Sequence, residues 1–211
     1  MPSIRFGAPQ DPGGEPPDDT DASGPSARIQ INPPTEDAEV DLNRVFDLVA
    51  PRIVNAARTS NELLKKAGVR HILVGGMAVG AYGHPRTTKD VDYLVGEEAF
   101  IKHEGGVVTM HPEVPLMVGD VPIDYLSIGP GEEHLAEAFA SAPSSEGIAV
   151  APVEVVVYLK LKSPRPDDHR DVSQLILVGI DAQRVRDYLL KHAPKRLIAR
   201  FDQLVAQAAR S

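Results

Sequence analysis

From Asp41 onward, apolar positions recur at helical spacing, with Leu42, Val45, Phe46, Val49 and Ile53 on one face and Asp41 placed to cap the first turn. Pro51 divides this stretch, and NELLKKAG carries the helix to a stop at Gly68. HILVG follows as a short apolar strand that runs straight into Gly75 and Gly76. MAVGAY fits a brief helix ended by Gly83, HPR a loop, and DVDYLV a second strand with Val91 on the face opposite Asp90 and Asp92. EEAFIKHEGG reads as a connecting helix, after which GVVTMH, VPLMV and VPIDYLSI are strands separated by proline and glycine turns.

The pattern then returns to helices: GEEHLAEAFA, PVEVVVYLKLK with Pro152 at the first helical position, DDHRDVSQLIL, and two amphipathic segments over about 181–192 and 195–208. The β-branched run EVVVYLKL also suits a strand by propensity, so its helical reading rests on the proline start. The expected class is α/β (α+β), a small mixed sheet flanked by helices and followed by a helical C-terminal half. The expected organisation is a sheet domain over residues 41–130 and a helical subdomain over 131–211.

Composition sets residues 1–40 apart. They hold eight prolines, and eight acidic residues face only Arg5 and Arg28, a balance of −6 within a chain that carries −8. So few apolar side chains cannot offset the entropy of ordering, and a disordered acidic tail is the expectation. The remaining residues are nearly neutral, so the overall acidity says little about the folded part. The absence of cysteine excludes disulfides and thiolate metal sites. The first residues lack an apolar signal region and no window is apolar enough to span a membrane, which makes the cytoplasm the expected location.

The chemistry concentrates in GGMAVGAYGHPRTTKDVDYLV, residues 75–95. In a strand, residues two apart share a face, so Asp90 and Asp92 project side by side. Two carboxylates about 4 Å apart repel by roughly 4 kcal/mol at an effective dielectric of about 20. A hard divalent cation such as Mg²⁺ offsets that repulsion and keeps sites open for water and phosphate. Asp124, set inside the apolar strand VPIDYLSI, completes a three-carboxylate set if that strand lies beside DVDYLV. A strand ending in Gly-Gly at a helix start lets the backbone approach a phosphate, and Arg86 offers a fork of donors to another phosphate oxygen. Phosphoryl or nucleotidyl transfer is the chemistry this combination suits.

Gly75-Gly76, thirteen intervening residues, Asp90-Val91-Asp92 and the later strand residue Asp124 resemble the signature of the nucleotidyltransferase superfamily that includes DNA polymerase β. The fuller form GGMAVGAYGHPRTTKDVD is most similar to a small bacterial branch that contains abortive-infection toxins and resembles antibiotic nucleotidyltransferases. Downstream, LKLKSPRPDDHRDVSQL resembles that branch's helical motif, with Lys160, Arg165, Asp168 and Asp171 at its matching positions. The two motifs span residues 71–178, about half the chain. Glycine stands at position 76 where many active members carry serine.

The resemblance implies a nucleotidyltransferase fold, Mg²⁺ (two ions) held by Asp90, Asp92 and Asp124, and an NTP as substrate. Gly75, Gly76, Arg86, Thr88 and Lys160 would lie along the nucleotide. Asp124 would also take the acceptor's proton, and Lys160 would neutralise triphosphate charge. The acceptor would be RNA or tRNA, with a cognate antitoxin as partner. The alternatives are a small-molecule, antibiotic-type transferase and an inactive nucleotide- or partner-binding module of the same fold.

Each residue also has an ordinary reading. Arg86 suits a surface loop, Thr88 a cap on the turn before the strand, and Lys160 a solvated helix position. Asp168 and Asp171, acids near a helix start, stabilise the dipole and are assigned a structural or orienting role. The seven histidines show no zinc-ligand spacing, and neither a P-loop nor a dinucleotide fingerprint is present. Residues 183–211 carry seven Lys/Arg against Asp187 and Asp202. That excess fits a nucleic-acid footprint, but a solvated helical face fits it better.

Overall fold

The computed structural model describes residues 39–210. The expected tail therefore lies outside the described residues except for Glu39 and Val40. Helix α1 (Asn43–Phe46) and helix α2 (Pro51–Lys66) come first, divided as Pro51 dictates. The N-cap of α1 is Leu42 rather than Asp41, although the Asp41 carboxylate still accepts the Asn43 amide at 3.0 Å. Along α2, Ile53, Ala56, Ala57, Ser60, Asn61 and Leu64 are buried, a single stripe at helical spacing. Gly68, at φ +69°, ends the helix and turns the chain into strand β1 (His71–Leu73).

Helix α3 (Gly75–Ala81) follows one residue later, and β2 (Val91–Val95) brings the chain back antiparallel to β1, with Leu73 opposite Tyr93. The chain from β2 to the next long strand corrects the expected connecting helix at EEAFIKHEGG. Only a 3₁₀ turn forms, at Glu97–Ala99. Residues Phe100–Lys102 (β3) then pair antiparallel with Val108–Met110 (β4). Gly105 and Gly106 both sit at φ +83°, a hairpin turn that no helix tolerates, and ten residues are too few to hold a helix without a packed face.

Strands β5 (Met117–Val118) and β6 (Val121–Ser127) complete a four-stranded mixed sheet in the order β1-β2-β6-β5. The β2–β6 pair is parallel and the other two pairs are antiparallel. Tyr93 fixes α2 to the sheet: its buried hydroxyl donates to the Ala57 carbonyl at 3.0 Å and lies 3.1 Å from the Ser60 hydroxyl.

GEEHLAEAFA divides into a 3₁₀ turn (Glu133–Glu137) and the short α4 (Ala138–Ser141). A two-residue hairpin not expected from the sequence, β7 (Ser144–Ser145) with β8 (Ile148–Ala149), leads on to Val150, which bridges to Leu73. Helices α5 (Val153–Lys162), α6 (Pro166–Leu177), α7 (Ala182–His192) and α8 (Lys195–Ala208) form the C-terminal half. Pro152 is the N-cap of α5 rather than its first residue.

The β-branched run of α5 is helical because it is buried on nearly every side, Val153, Val155, Val156, Val157, Tyr158 and Leu161 all packing inward. In such a setting helix–helix packing against α6, α7 and α8 outweighs the small propensity difference. One apolar cluster runs from Leu42 through the sheet to Val205. No helix among the described residues is long and apolar enough to cross a membrane.

Candidate metal centre

The parallel pairing of β2 with β6 sets Asp92 directly opposite Asp124. Directly opposed residues in a sheet share a face, so these two carboxylates stand side by side. Asp90, one residue before β2, points the same way by alternation. A carboxylate oxygen from each of the three lies within 4.8 Å of those from the other two. Asp90 and Asp92 are half-buried and Asp124 is exposed, so the cluster opens to solvent on the β6 side.

The glycine turn is shaped around this cluster. Gly75 sits at φ +65°, and a Cβ built there would fall 1.9 Å from an oxygen of Asp92. Any side chain at 75 would therefore displace the carboxylate, and the left-handed backbone is itself costly for other residues. The Gly76 amide donates toward Asp92. Thr88 donates to Asp90 Oδ1 at 2.7 Å, which holds that carboxylate in place. A Cβ on Gly76 would meet Arg86 Nη2 at 3.2 Å and Thr88 Oγ1 at 3.3 Å, so Arg86 and Thr88 flank the first turn of α3.

Lys160 and Arg86 arrive at this site through acids of α6. Arg86 makes a two-pronged contact with Asp171, Nε to Oδ1 and Nη2 to Oδ2, both 2.9 Å. Lys160 Nζ lies 2.9 Å from Asp171 Oδ2 and also pairs with Asp168. Asp171 is buried and joins the loop before β2 to α5, a contact across 85 residues of sequence that no local pattern reveals. Burial works to raise the Asp168 carboxyl, but hydrogen bonds from Lys160 and Ser163 outweigh it and hold it below the ordinary range.

These four groups carry two positive and two negative charges and balance among themselves, which leaves the three aspartates with an excess of negative charge. Asp92 registers the imbalance. Burial, then the neighbouring charges of Asp90 and Asp124, push its carboxyl up to about 6, against the weaker opposing pull of Lys160 and the Gly76 amide. Three converging carboxylate oxygens with an excess negative charge and an open side fit a hard cation that prefers oxygen and retains water. Among the described residues this is the one group of three acidic or histidine side chains close enough to share an ion.

Comparison with protein-family models and with curated proteins returns no match.

The structure also brings together side chains the sequence keeps apart. His134 and His192 stack with ring centroids 4.4 Å apart, beside Tyr158 and Tyr188. Spacing along the chain gives no sign of this cluster, because its members come from a 3₁₀ turn and from two helices. On the last two helices, Arg184 pairs with Glu154 and Arg186 with Asp202, so part of the basic excess is already neutralised.

Proposed function

We propose that the chain is a Mg²⁺-dependent nucleotidyltransferase that moves a nucleoside monophosphate from an NTP to an acceptor. The observation that carries the reading is the convergence of Asp90, Asp92 and Asp124 on one face of β2–β6, only partly offset by Lys160, beside a glycine turn that only glycine can make at Gly75. The resemblance of residues 71–178 to the superfamily supports it.

In this reading Asp90, Asp92 and Asp124 hold Mg²⁺, which when bound offsets the charge on the triphosphate and on the attacking and leaving oxygens. The chain's own groups do the rest. Thr88 and the Gly76 amide keep the Asp90 and Asp92 carboxylates turned toward the site. Gly75 and Gly76 let the start of α3 pack closely against the Asp92 carboxylate and the Arg86 and Thr88 side chains. Arg86 and Lys160, pre-oriented by Asp171, face the phosphates as charge-assisted donors. Asp124, the exposed member, accepts the proton of the acceptor hydroxyl. The acceptor is an RNA hydroxyl, in a toxin–antitoxin setting that the resemblance suggests. A small-molecule acceptor is favoured instead by the pairing of Arg184 and Arg186, which shrinks the basic surface available to RNA.

The test is incubation with each labelled NTP, Mg²⁺ and total RNA, and in parallel with a panel of hydroxylated small molecules. Wild type is compared with the Asp90→Ala, Asp92→Ala double variant. Label entering either acceptor pool only with the intact pair supports the transferase and identifies its acceptor class. NTP binding without transfer to any acceptor contradicts it and leaves a binding module.

A further inference from the structure

Away from the aspartates, the Glu133–Glu137 turn meets α5 and α7 through a cluster of rings. His134 of the turn and His192, the last residue of α7, stack nearly parallel, with 13° between planes and 4.4 Å between centroids. Tyr188 packs against both, at 5.7 and 4.8 Å, and Tyr158 of α5 stands edge-on to His134 at 5.1 Å. Two neutral imidazoles stack as other aromatic rings do. Two imidazolium rings at that spacing carry like charges at close range, and their repulsion drives them apart.

The surroundings offer a second proton no partner. Imidazolium carries an N–H on both nitrogens, and His134 Nε2 is shielded from solvent without a hydrogen-bond partner, so one of its two N–H groups would stay unmet. The charged groups around the pair are Glu132, Glu133 and Glu137 at the turn, Glu154 on α5, and Asp187 and Lys191 on α7. Among the described residues no carboxylate hydrogen-bonds to either imidazole. Glu132 takes Lys162 and the Tyr158 hydroxyl, Glu133 the Gly131 amide, Glu154 Arg184, and Asp187 the Gln183 side chain. Tyr158 and Tyr188 stay neutral, since burial pushes both hydroxyls above their ordinary value.

We infer that the His134–His192 stack is an acid-sensitive latch: protonation of the pair releases the end of α7 from the Glu133–Glu137 turn while the sheet and its aspartates stay folded. Burial, and then the charge of His192, lower His134 below its ordinary value more than Glu132, Glu137 and Glu133 raise it. Burial and then Lys191 lower His192, against Glu137. The stacked rings therefore bind protons less readily than released ones. The latch is fully closed above the ordinary histidine value of 6.5 and weakens as pH falls below it. Each proton taken up on release raises the released population by up to about tenfold per pH unit. Asp92 acts in the opposite direction, its raised carboxyl favouring the folded state as pH falls, so an acid-driven loss does not arise at the metal cluster.

The test is amide hydrogen exchange on the full chain at pH 7.5, 6.5 and 5.5, corrected for the intrinsic pH dependence of exchange. In wild type the amides of residues 188–193 lose protection by at least about tenfold between pH 7.5 and 5.5, whereas those of α2 keep theirs. His192→Phe leaves an aromatic ring against His134 but cannot titrate, and its acid response is at most about threefold. Far-UV circular dichroism checks the fold, and His192→Gln replaces the variant if phenylalanine is not accommodated. Proton NMR titration of wild type, which needs no variant, finds both imidazoles titrating below the ordinary value. Unchanged protection of 188–193 across this range, an equal acid response in a folded variant, parallel loss in α2, or either ring titrating at or above its ordinary value would each overturn the inference.

Discussion

Replacing Asp92 by asparagine removes one of three mutually repelling charges while preserving shape. In the folded protein burial and the two neighbouring aspartates push the Asp92 carboxyl up to about 6, whereas the ordinary value is 3.8. Between those values the folded chain binds a proton that the unfolded chain releases, so stability falls as pH rises through that window, and by pH 7 the loss is fully expressed. The difference corresponds to about 3 kcal/mol. Some of this is lost with the Gly76 amide's charge-assisted contact, so Asp92→Asn gains about 1 to 3 kcal/mol at pH 7.5 without metal. That is a rise in melting temperature of roughly 2 to 10 °C for a fold of this size.

Metal narrows the gap. At about ten times its dissociation constant, Mg²⁺ adds about 1.4 kcal/mol to the wild type and much less to the variant, which has lost a ligand. The assay is thermal unfolding by circular dichroism at pH 5 and pH 7.5, with EDTA and with MgCl₂. If Asp92→Asn is less stable than wild type in EDTA at pH 7.5, and wild type does not respond to Mg²⁺, the electrostatic account of the cluster is wrong.

Four further outcomes follow from particular contacts. Gly75→Ala drives a methyl into Asp92 at a left-handed backbone position, so urea unfolding should show a loss of about 2 kcal/mol or more together with a smaller Mg²⁺ response. Asp171→Ala leaves Lys160 and Arg86 without their shared buried partner, and chemical denaturation should register about 3 kcal/mol of destabilisation. Tyr93→Phe removes a buried hydroxyl that donates to Ala57, costing about 1 kcal/mol by the same measurement with no change in metal response. Lys160→Met should raise the KM for NTP in the label-transfer assay by at least about tenfold, since a charged phosphate contact is lost.

Much of the fold is written in local pattern. The stripe from Ile53 to Leu64, the stop at Gly68 and the boundaries of the last two helices follow from spacing, proline and glycine alone. Asp90 and Asp92 are legible because strand alternation fixes their relation, and Asp124 because a charge within an apolar strand is conspicuous. Their convergence needed the register of β2 against β6, set by tertiary packing between segments some thirty residues apart. EEAFIKHEGG misleads because a short stretch with helix-forming glutamates and alanine carries no strong period, and the pairing of Phe100 with Met110 decides its form. The Arg86–Asp171 contact and the stacking of His134 on His192 are long-range meetings with no sequence signature.

The most direct measurement is crystallographic: co-crystallise the protein with Mn²⁺ and a non-hydrolysable NTP, and collect data at the manganese absorption edge. The account predicts an anomalous peak among the carboxylates of Asp90, Asp92 and Asp124, within about 2.5 Å of oxygens from all three, and contacting the triphosphate. Ordered nucleotide elsewhere, or no manganese among these three side chains at saturating concentration, would contradict it.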